Sequence, residues 1–367
     1  MAPCARLLCG KFINFIRNLM IKSKPLVYDL ELSEIEEILR QWGEKPYRSH
    51  QIWQGLYNNL WIHPEEFTNL SRSTRDNLAN IINFSIIQPI EKVYSKDQKT
   101  EKTLFRLHDD QTIETVFMKY RNRNTLCIST QVGCAMGCVF CATGRMGLHR
   151  NLSSGEIIAQ VLYYASLLSK MQENLTNIVV MGMGEPFHNY EAALSAINRL
   201  NDHEGFNFGE RRFTISTVGL VPMIKKFTNE KRQINLAISL HAADNDLRTT
   251  LVPINKKFPI EEVLSSCHDY VNQTRRRVTF EWALINDLND TPQQANLLIS
   301  KLHGLLCHVN LIPLNPSGYY MGRGSTPERA EAFKSLLVKA GIPCSIRLRR
   351  GIDIQAGCGQ LNDHGKD

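Results

Sequence analysis

Hydrophobic and polar positions follow one period at the beginning of this chain and another further along. Between residues 35 and 42 the apolar side chains recur at i, i+3, i+4 and i+7, the spacing of one helix face. Ser33 and Glu36 form a capping-box pattern at the start of this face, and Gly43 follows it. Two more helical patterns come next, so residues 28–90 are predicted to form a small helical domain.

Strand-like runs follow the helical segment. Residues 103–107 and 112–119 are separated by a short polar turn and predict a β-hairpin, and a third run covers 125–130. If these runs form an antiparallel meander, Glu114 and Cys127 lie on neighbouring strands.

From about residue 125 onward, strand patterns alternate with helical ones, which is typical of βαβ units and a parallel sheet. Roughly six or seven such units suit an α/β fold with a full or partial (β/α) barrel, whose active site lies at the carboxyl ends of the strands. The predicted strands are 125–130, 178–182, 213–217, 235–240, 278–284, 309–314 and 344–349. The predicted helices are 154–170, 190–200, 259–272, 292–302 and 326–340.

The net charge is concentrated at the beginning of the chain. Lysine and arginine number 43 and aspartate and glutamate 36, which gives +7, and residues 1–24 hold five basic side chains and no acidic one. The rest of the chain is therefore only +2 (7 − 5), which is weak evidence for nucleic-acid binding. Three interpretations of residues 1–24 stay open: an organelle transit peptide, an amphipathic helix at a membrane surface, and an extension upstream of a start at Met20.

Three of the ten cysteines, Cys134, Cys138 and Cys141, lie within eight residues. In a long enzyme-like chain this C-x3-C-x2-C clustering indicates metal binding rather than disulfides. Structural zinc sites and iron–sulfur clusters normally have four protein ligands, and no fourth Cys or His completes this loop. Three thiolates suggest an iron–sulfur cluster with one open iron; a zinc site with a distant fourth ligand is the alternative.

Further polar groups fall at the ends of predicted strands. Glycines in the segment 182–186 let the backbone approach a ligand, and Glu185 can accept a hydrogen bond from an amino group. Taken singly, the segment 182–186 fits a plain turn and His241 fits a core histidine equally well. Because all of them fall at predicted carboxyl ends of strands, we expect them to bind a cofactor. These candidates are Gly184, Glu185, Ser216, Ser239, Leu240, His241 and Asn315.

The cysteine loop resembles the signature of the radical S-adenosylmethionine (SAM) superfamily. Over residues 25–362 the chain closely resembles the RlmN family within it, the dual-specificity RNA (adenine-2) methyltransferases. Pro186 and Val132 favour this family over the related Cfr-type enzymes, which methylate carbon 8. The matching segments are ETV at Glu114, TLCISTQVGC with Cys127, GMGEP, TIST, ISLHA, VPINKK, NLIPLNP and AGCGQL with Cys358.

The resemblance implies methylation of carbon 2 of adenine, in 23S rRNA and in tRNA at the adenosine following the anticodon. It implies one [4Fe–4S] cluster on the three clustered cysteines, two SAM molecules per turnover, and an electron donor such as flavodoxin. We also expect a cytoplasmic monomer without membrane association. A carbon-8 adenine methyltransferase and a noncatalytic iron–sulfur redox protein remain as alternatives.

The resemblance also implies a role for three further residues. One SAM methylates Cys358, and a radical generated from a second SAM activates the S-methyl group, which adds to carbon 2. Cys127 then attacks the methyl-bearing sulfur and releases the product with formation of a disulfide. Glu114 matches the base that removes the carbon-2 proton.

Three basic clusters are candidates for RNA contacts, namely 225–232, 275–277 and 347–350, and we favour Arg349 and Arg350. The expected organisation is a basic extension that is flexible or absent from the native protein (1–24), a helical accessory RNA-binding domain (25–92), a connecting β-hairpin (93–123), a radical SAM barrel with a C-terminal catalytic cysteine loop (124–362) and a tail (363–367).

Overall fold

The computed structural model of the protein describes residues 24–361. The predictions for the basic extension up to residue 23, for a start at Met20 and for the tail lie outside the described residues. Within the described range, no helix combines the length and apolar character needed to cross a membrane.

Three helices open the described chain, as the helical periodicity predicts: α1 (Leu32–Gln41), α2 (Tyr47–Tyr57) and α3 (Arg72–Ile81). The apolar stripe of α1 is buried. Its N-cap is Glu31 and not Ser33, so the predicted start was wrong by two residues. The carboxylate of Glu34 accepts a hydrogen bond from the Glu31 backbone N–H (2.8 Å), which fixes the earlier start.

Four antiparallel strands follow and pair in sequence order: β1 (Ile87–Tyr94), β2 (Thr100–Leu107), β3 (Thr112–Tyr120) and β4 (Arg123–Cys127). The predicted hairpin is β2–β3, and Val116 pairs with Cys127 across β3 and β4, so Glu114 does lie on the strand beside Cys127. β1 was not predicted, and the expected domain boundary at residue 92 falls inside it. This edge strand is mostly exposed and contains Pro89, so no apolar alternation marks it.

A separate two-stranded hairpin carries the cysteine loop. It consists of β5 (Gln131–Cys134), the short helix α4 (Ala142–Arg145) and β6 (Gly147–Asn151). Gly133 has a φ of +75°, and a Cβ at this position would lie 1.9 Å from the carbonyl oxygen of Gly147. Glycine is therefore required where the two strands meet.

Seven parallel strands continue the main sheet from β4, in the order β4-β7-β8-β9-β10-β11-β12. Thr125 of β4 and Ser345 of β12 line one cavity, so the sheet curves until its first and last parallel strands face each other. This is the predicted partial (β/α) barrel. Its strands after β4 are β7 (Asn177–Val180), β8 (Phe213–Thr217), β9 (Asn235–Ser239), β10 (Val278–Leu284), β11 (Cys307–Pro313) and β12 (Cys344–Ile346). Its helices are α5 (Ser154–Lys170), α6 (Tyr190–Asn201), α7 (Val221–Asn229), α8 (Asn245–Leu251), α9 (Ile260–Thr274), α10 (Pro292–Leu302) and α11 (Pro327–Lys339).

The helical domain packs against the outer helices of the barrel through one continuous apolar core. Polar contacts fix the arrangement: Trp53 donates to the carboxylate of Asp202 (2.8 Å), and Asp29 accepts from the backbone N–H of Gly155 (2.6 Å). The domain therefore lies outside the barrel, against α5 and the end of α6.

Candidate active site

The three clustered cysteines line one cavity at the carboxyl ends of five successive parallel strands, β7 to β11. Cys134 ends β5, and Cys138 and Cys141 lie in the loop before α4. The backbone N–H of Val139 donates to the carbonyl of Leu251 (3.1 Å), which holds this loop against the end of α8. The loop is thus fixed where a barrel enzyme collects its ligands.

Burial raises the pKa of all three thiols, to about 12 for Cys134. The neighbouring thiolates of Cys141 and Cys134 raise the pKa of Cys138 further. Within residues 24–361, no three His, Cys, Asp or Glu side chains are placed to share a single metal ion. A cubane cluster does not need that closeness, because each cysteine binds a different iron. Three thiols spread over one short loop therefore fit a [4Fe–4S] cluster, and its binding would release the thiol protons.

The segment after β7 brings a carboxylate to the cavity. Gly184 has a φ of +102°, and a Cβ there would lie 2.6 Å from the Cβ of Gln131, so the close approach requires glycine. The buried Glu185 carboxylate accepts the backbone N–H groups of Phe187 (3.0 Å) and Val218 (2.9 Å). Burial raises its pKa to about 7. A positive group bound beside Glu185 would favour the carboxylate, as the predicted contact with an amino group requires.

The predicted residues Ser216, Ser239, His241 and Asn315 line the same cavity. The two serine hydroxyl oxygens are 3.3 Å apart. Burial lowers the pKa of His241 to about 3, and its Nδ1 accepts the backbone N–H of Ala283 (3.0 Å), so the neutral ring carries its proton on Nε2. The buried Oδ1 of Asn315 has no hydrogen-bond partner among the described residues, which leaves it open to a ligand donor.

Leu240 is the predicted cofactor residue that does not line this cavity. Its side chain is fully buried in the main hydrophobic core. Its carbonyl accepts a hydrogen bond from Nε of Arg248 (3.1 Å), and its backbone N–H donates to the carbonyl of Glu281 (3.1 Å). Leu240 therefore fixes the backbone between Ser239 and His241, and its side chain faces the core and not the cavity.

Cys358 and Cys127 line a second cavity beside the first, together with Cys141. Cys358 lines both cavities, whereas Cys127 lines only this one. The guanidinium Nη1 of Arg347 lies 3.4 Å from the Cys358 sulfur, and Asn315 Nδ2 donates to the Cys358 carbonyl (3.1 Å). Burial raises the pKa of Cys127 to about 12, Cys358 raises it further, and Arg347 lowers it. Two thiols distant in sequence thus share a site with a cluster ligand.

Glu114 is buried and forms an ion pair with Lys102, whose Nζ lies 3.0 Å from its Oε1. Val116 and Met118 line the cavity of the two thiols, and Glu114 lies on the same face of β3 because alternate residues of a strand share a face. Lys102 Nζ also donates to the carbonyl of Gln355 (3.4 Å), in the segment that leads to Cys358. Glu114 is therefore next to the cavity but does not line it.

The arginines of the basic segment 347–350 have different surroundings, which the sequence pattern did not distinguish. Arg347 is turned toward Cys358, whereas Arg349 is exposed. The guanidinium of Arg350 lies over the ring of Tyr120 (4.5 Å to its centre) and 3.6 Å from the carboxylate of Asp97. Adjacent arginines look alike in a sequence, so only the turn of the backbone after β12 distinguishes them.

Two family models match the chain. Residues 128–295 match the radical SAM superfamily, and residues 27–84 match the ribosomal RNA large subunit methyltransferase N-terminal domain. The second match covers the helices α1 to α3 and ends before β1.

Curated relatives and a solved structure cover nearly the whole chain. A protein of Chloroflexus aurantiacus described as a probable dual-specificity RNA methyltransferase RlmN is 46% identical, over 91% of this chain and 92% of its own length. The dual-specificity RNA methyltransferase RlmN 1 of Myxococcus xanthus is 45% identical, over 91% of this chain and 93% of its own. The crystal structure of a radical SAM methyltransferase from Sphaerobacter thermophilus is 48% identical, with a TM-score of 0.90 over 93% of this chain and 100% of that one.

Proposed function

Because the chain belongs to the RlmN family of radical SAM RNA methyltransferases, we propose that it methylates carbon 2 of adenine, in 23S rRNA and in tRNA at the adenosine following the anticodon. The cofactors of the family are a [4Fe–4S] cluster and SAM. One observation carries the proposal: Cys358 faces both the cavity of the cluster cysteines and the cavity that holds Cys127.

The chemistry explains why such a site needs a cluster. Carbon 2 of adenine carries no acidic proton near neutral pH, so a general base and a methyl donor alone would not methylate it. When bound, SAM supplies the methyl group and, at the cluster, the radical that activates it. Cys134, Cys138 and Cys141 would hold the cluster, and Glu185 with Asn315 would orient SAM.

Cys358 carries the methyl group in this proposal. Its thiolate attacks the methyl carbon, the bond from that carbon to the SAM sulfur breaks, and the thiol proton leaves to solvent. The guanidinium of Arg347 lies 3.4 Å from this sulfur and can donate a hydrogen bond to it. The position of Cys358 between the two cavities lets one sulfur take a methyl group on one side and present it to a base on the other.

Cys127 and Glu114 complete the reaction. After the S-methylene group has added to carbon 2 and the adduct has given up one electron, which the oxidised cluster would accept, the proton on carbon 2 is acidic and Glu114 removes it. The Glu114 carboxylate lies 3.0 Å from Lys102 Nζ. The Cys127 thiolate attacks the Cys358 sulfur, the sulfur–carbon bond to the product breaks, the released methylene carbon takes up a proton to become the methyl group, and a disulfide forms. Two electrons from a donor such as flavodoxin, with two protons, then restore both thiols, so we place the reaction in the reducing cytoplasm. We also propose that the enzyme acts as a monomer.

RNA reaches this site as an unpaired or extruded base, because carbon 2 lies inside a base-paired duplex. The exposed Arg349 lies at the rim of the cavity that contains Cys127 and Cys358. Its charge would contact a phosphate next to the target nucleotide. The helical domain matches the N-terminal domain of ribosomal RNA methyltransferases, which supports a role in holding the RNA.

The test is the identity of the methylated nucleoside. The reconstituted protein is incubated with SAM, a low-potential reductant and either a 23S rRNA fragment or tRNA, and the digested RNA is compared with 2-methyladenosine and 8-methyladenosine standards by mass spectrometry. We expect 2-methyladenosine from both substrates. Accumulation of 8-methyladenosine would show that the chain is a carbon-8 enzyme. SAM consumption without any methylated nucleoside would contradict the proposal altogether.

A further inference from the structure

Arg248 in α8 is fully buried, and its charge has no acidic partner among the described residues. The five N–H bonds of the guanidinium all meet neutral oxygens, so its hydrogen bonding is complete. These acceptors are the carbonyls of Val218 (2.6 Å), Leu240 (3.1 Å), Phe258 (3.3 Å) and Ser239 (3.4 Å) and the Oδ1 of Asn255 (2.8 Å). Burial lowers the pKa of Arg248 to about 10, so the group is still a cation at neutral pH.

A second buried arginine has the acidic partner that Arg248 lacks within the described part of the chain. Arg199 in α6 is also buried, and it forms an ion pair with the carboxylate of Glu31. Burial of a cation without such a partner is unfavourable, because the charge loses its hydration and gains no opposite charge. An anion bound close to Arg248 would supply the opposite charge that no described residue places there.

The surroundings of Arg248 indicate where that charge lies. Two of its acceptors, Val218 and Ser239, line the cavity of the three clustered cysteines. The carbonyl of Leu251, at the end of the same helix, accepts the backbone N–H of Val139 from within the cysteine loop (3.1 Å). Helix α8 therefore places a cation directly behind the cysteine loop.

We propose that Arg248 is a positioning residue that acts on the cluster through its charge. This fixed positive charge offsets the negative charge of the cysteine-bound cluster and favours the reduced form. Reduction adds one electron from an external donor, such as flavodoxin or dithionite, so the reduced form is more negative and gains more from a buried cation. The proposal depends only on a cluster bound by Cys134, Cys138 and Cys141. It holds whichever carbon of adenine the enzyme methylates.

Four variants separate charge from packing. Arg248→Gln removes the charge and keeps part of the hydrogen bonding, and Arg248→Lys keeps the charge. Asn255→Asp leaves Arg248 in place. It replaces the amide oxygen that accepts the hydrogen bond from Arg248 Nη1 with a carboxylate oxygen, whose negative charge neutralises the cation. Arg199→Gln is the matched control, since it also removes a buried arginine but far from the cysteine loop.

The measurement is the midpoint potential of the cluster in the full-length, anaerobically reconstituted protein, followed by electron paramagnetic resonance without SAM or RNA. At a fixed potential, we expect Arg248→Gln and Asn255→Asp to lower the ratio of reduced to oxidised cluster about tenfold, a fall of about 59 mV for one electron. Arg248→Lys and Arg199→Gln should stay within a factor of about two of the parent.

Iron content is measured first, so that a lost cluster is not mistaken for a shifted one. If Arg248→Gln does not take up iron, Asn255→Asp decides the outcome. A fully loaded charge-neutral variant with the parent's potential would overturn the proposal, and so would an equal fall in Arg248→Lys, which would mean that Arg248 only holds the backbone. Because neither SAM nor RNA is present, a failure of the proposed methylation leaves this result unaffected.

Discussion

At the scale of single residues, Cys358 and Cys127 have unequal surroundings although both are thiols in one cavity. Cys358 reaches the cluster cavity and has Arg347 beside it, whereas Cys127 is more deeply buried and faces only the second cavity. We therefore expect Cys358→Ala to form neither the methylated cysteine nor a product. Cys127→Ala should accumulate a covalent protein–RNA adduct that it cannot resolve. Denaturing gel electrophoresis with labelled RNA and peptide mass spectrometry measure both.

Cys344→Ala is the control for these two variants. Cys344 begins β12 and lines neither cavity, so its removal should leave the methylation rate within a factor of about two. Turnover at the parental rate by Cys358→Ala or Cys127→Ala would show that the roles are assigned wrongly.

Glu185 gives a pH dependence at the same scale. Its pKa in the folded protein, about 7, is raised by burial above the ordinary value of 4.5. Between pH 4.5 and 7 the folded protein thus holds a proton that the unfolded chain has released, and stability falls as the pH rises through this window. The group costs up to about 3 kcal/mol at pH 8 relative to pH 4.

In the protein without cofactors, Glu185→Gln should therefore remove most of the loss of unfolding free energy between pH 5 and pH 8. Urea unfolding at pH 5 and pH 8 measures the unfolding free energy at each pH. A hydrogen bond that the amide loses lowers both values equally, so it cancels in their difference. Glu191→Gln, on the exposed surface of α6, should keep the parent's pH dependence. An unchanged pH dependence in Glu185→Gln would mean that the carboxylate is ionised throughout this range.

At the scale of secondary-structure elements, the N-terminus of α5 joins three parts of the molecule. Ser153 caps the helix by accepting the Glu156 backbone N–H (3.2 Å), and Glu156 in turn accepts from the Ser153 N–H (2.9 Å). The buried Glu156 carboxylate also binds Arg150 of β6 (2.8 Å), and Arg150 binds Asp109 in the β2–β3 turn (2.6 Å). This network orients the hairpin that carries the cysteine loop relative to the main sheet.

The network predicts two different losses of stability. Ser153→Ala removes one capping bond and should lower the free energy of unfolding by about 1 kcal/mol. Glu156→Ala leaves Arg150 without its buried partner and should cost about 3 kcal/mol. Ser300→Ala, an exposed hydroxyl in α10, should change stability by less than about 0.5 kcal/mol. Denaturant unfolding compares all three, and equal losses for Ser153→Ala and Glu156→Ala would contradict the network.

At the scale of the whole molecule, the cluster loop lies between β5, α8 and the C-terminal segment, so metal binding and folding of the barrel mouth depend on each other. Anaerobic reconstitution should give about four iron atoms per chain and a broad visible absorption that oxygen destroys. Cys138→Ala should lose most of this iron, whereas Cys344→Ala should keep it. Stoichiometric zinc without iron in the reconstituted protein would contradict the cluster assignment.

The sequence alone determined the main elements of the barrel and the candidates for its site. Strands β8 and β10 and helices α5 and α10 match their predicted limits, because each combines a clear apolar pattern with turn or capping residues at its ends. The spacing of Cys134, Cys138 and Cys141 is local information, so it indicated a metal centre before any folding was considered. The resemblance to a known family supplied the roles of Cys127, Cys358 and Glu114.

Only the tertiary structure decided which charges face the site. The edge strand β1 and the short hairpin of β5 and β6 lack a clear apolar alternation, so only the backbone pairing with a neighbouring strand defines them. Nothing near Arg248 or Arg347 in the sequence marks one as a buried cation behind the cysteine loop and the other as the neighbour of a thiol. Burial and electrostatic interactions depend on distance in space, and the chain brings these residues together only when the parallel sheet curves into a barrel.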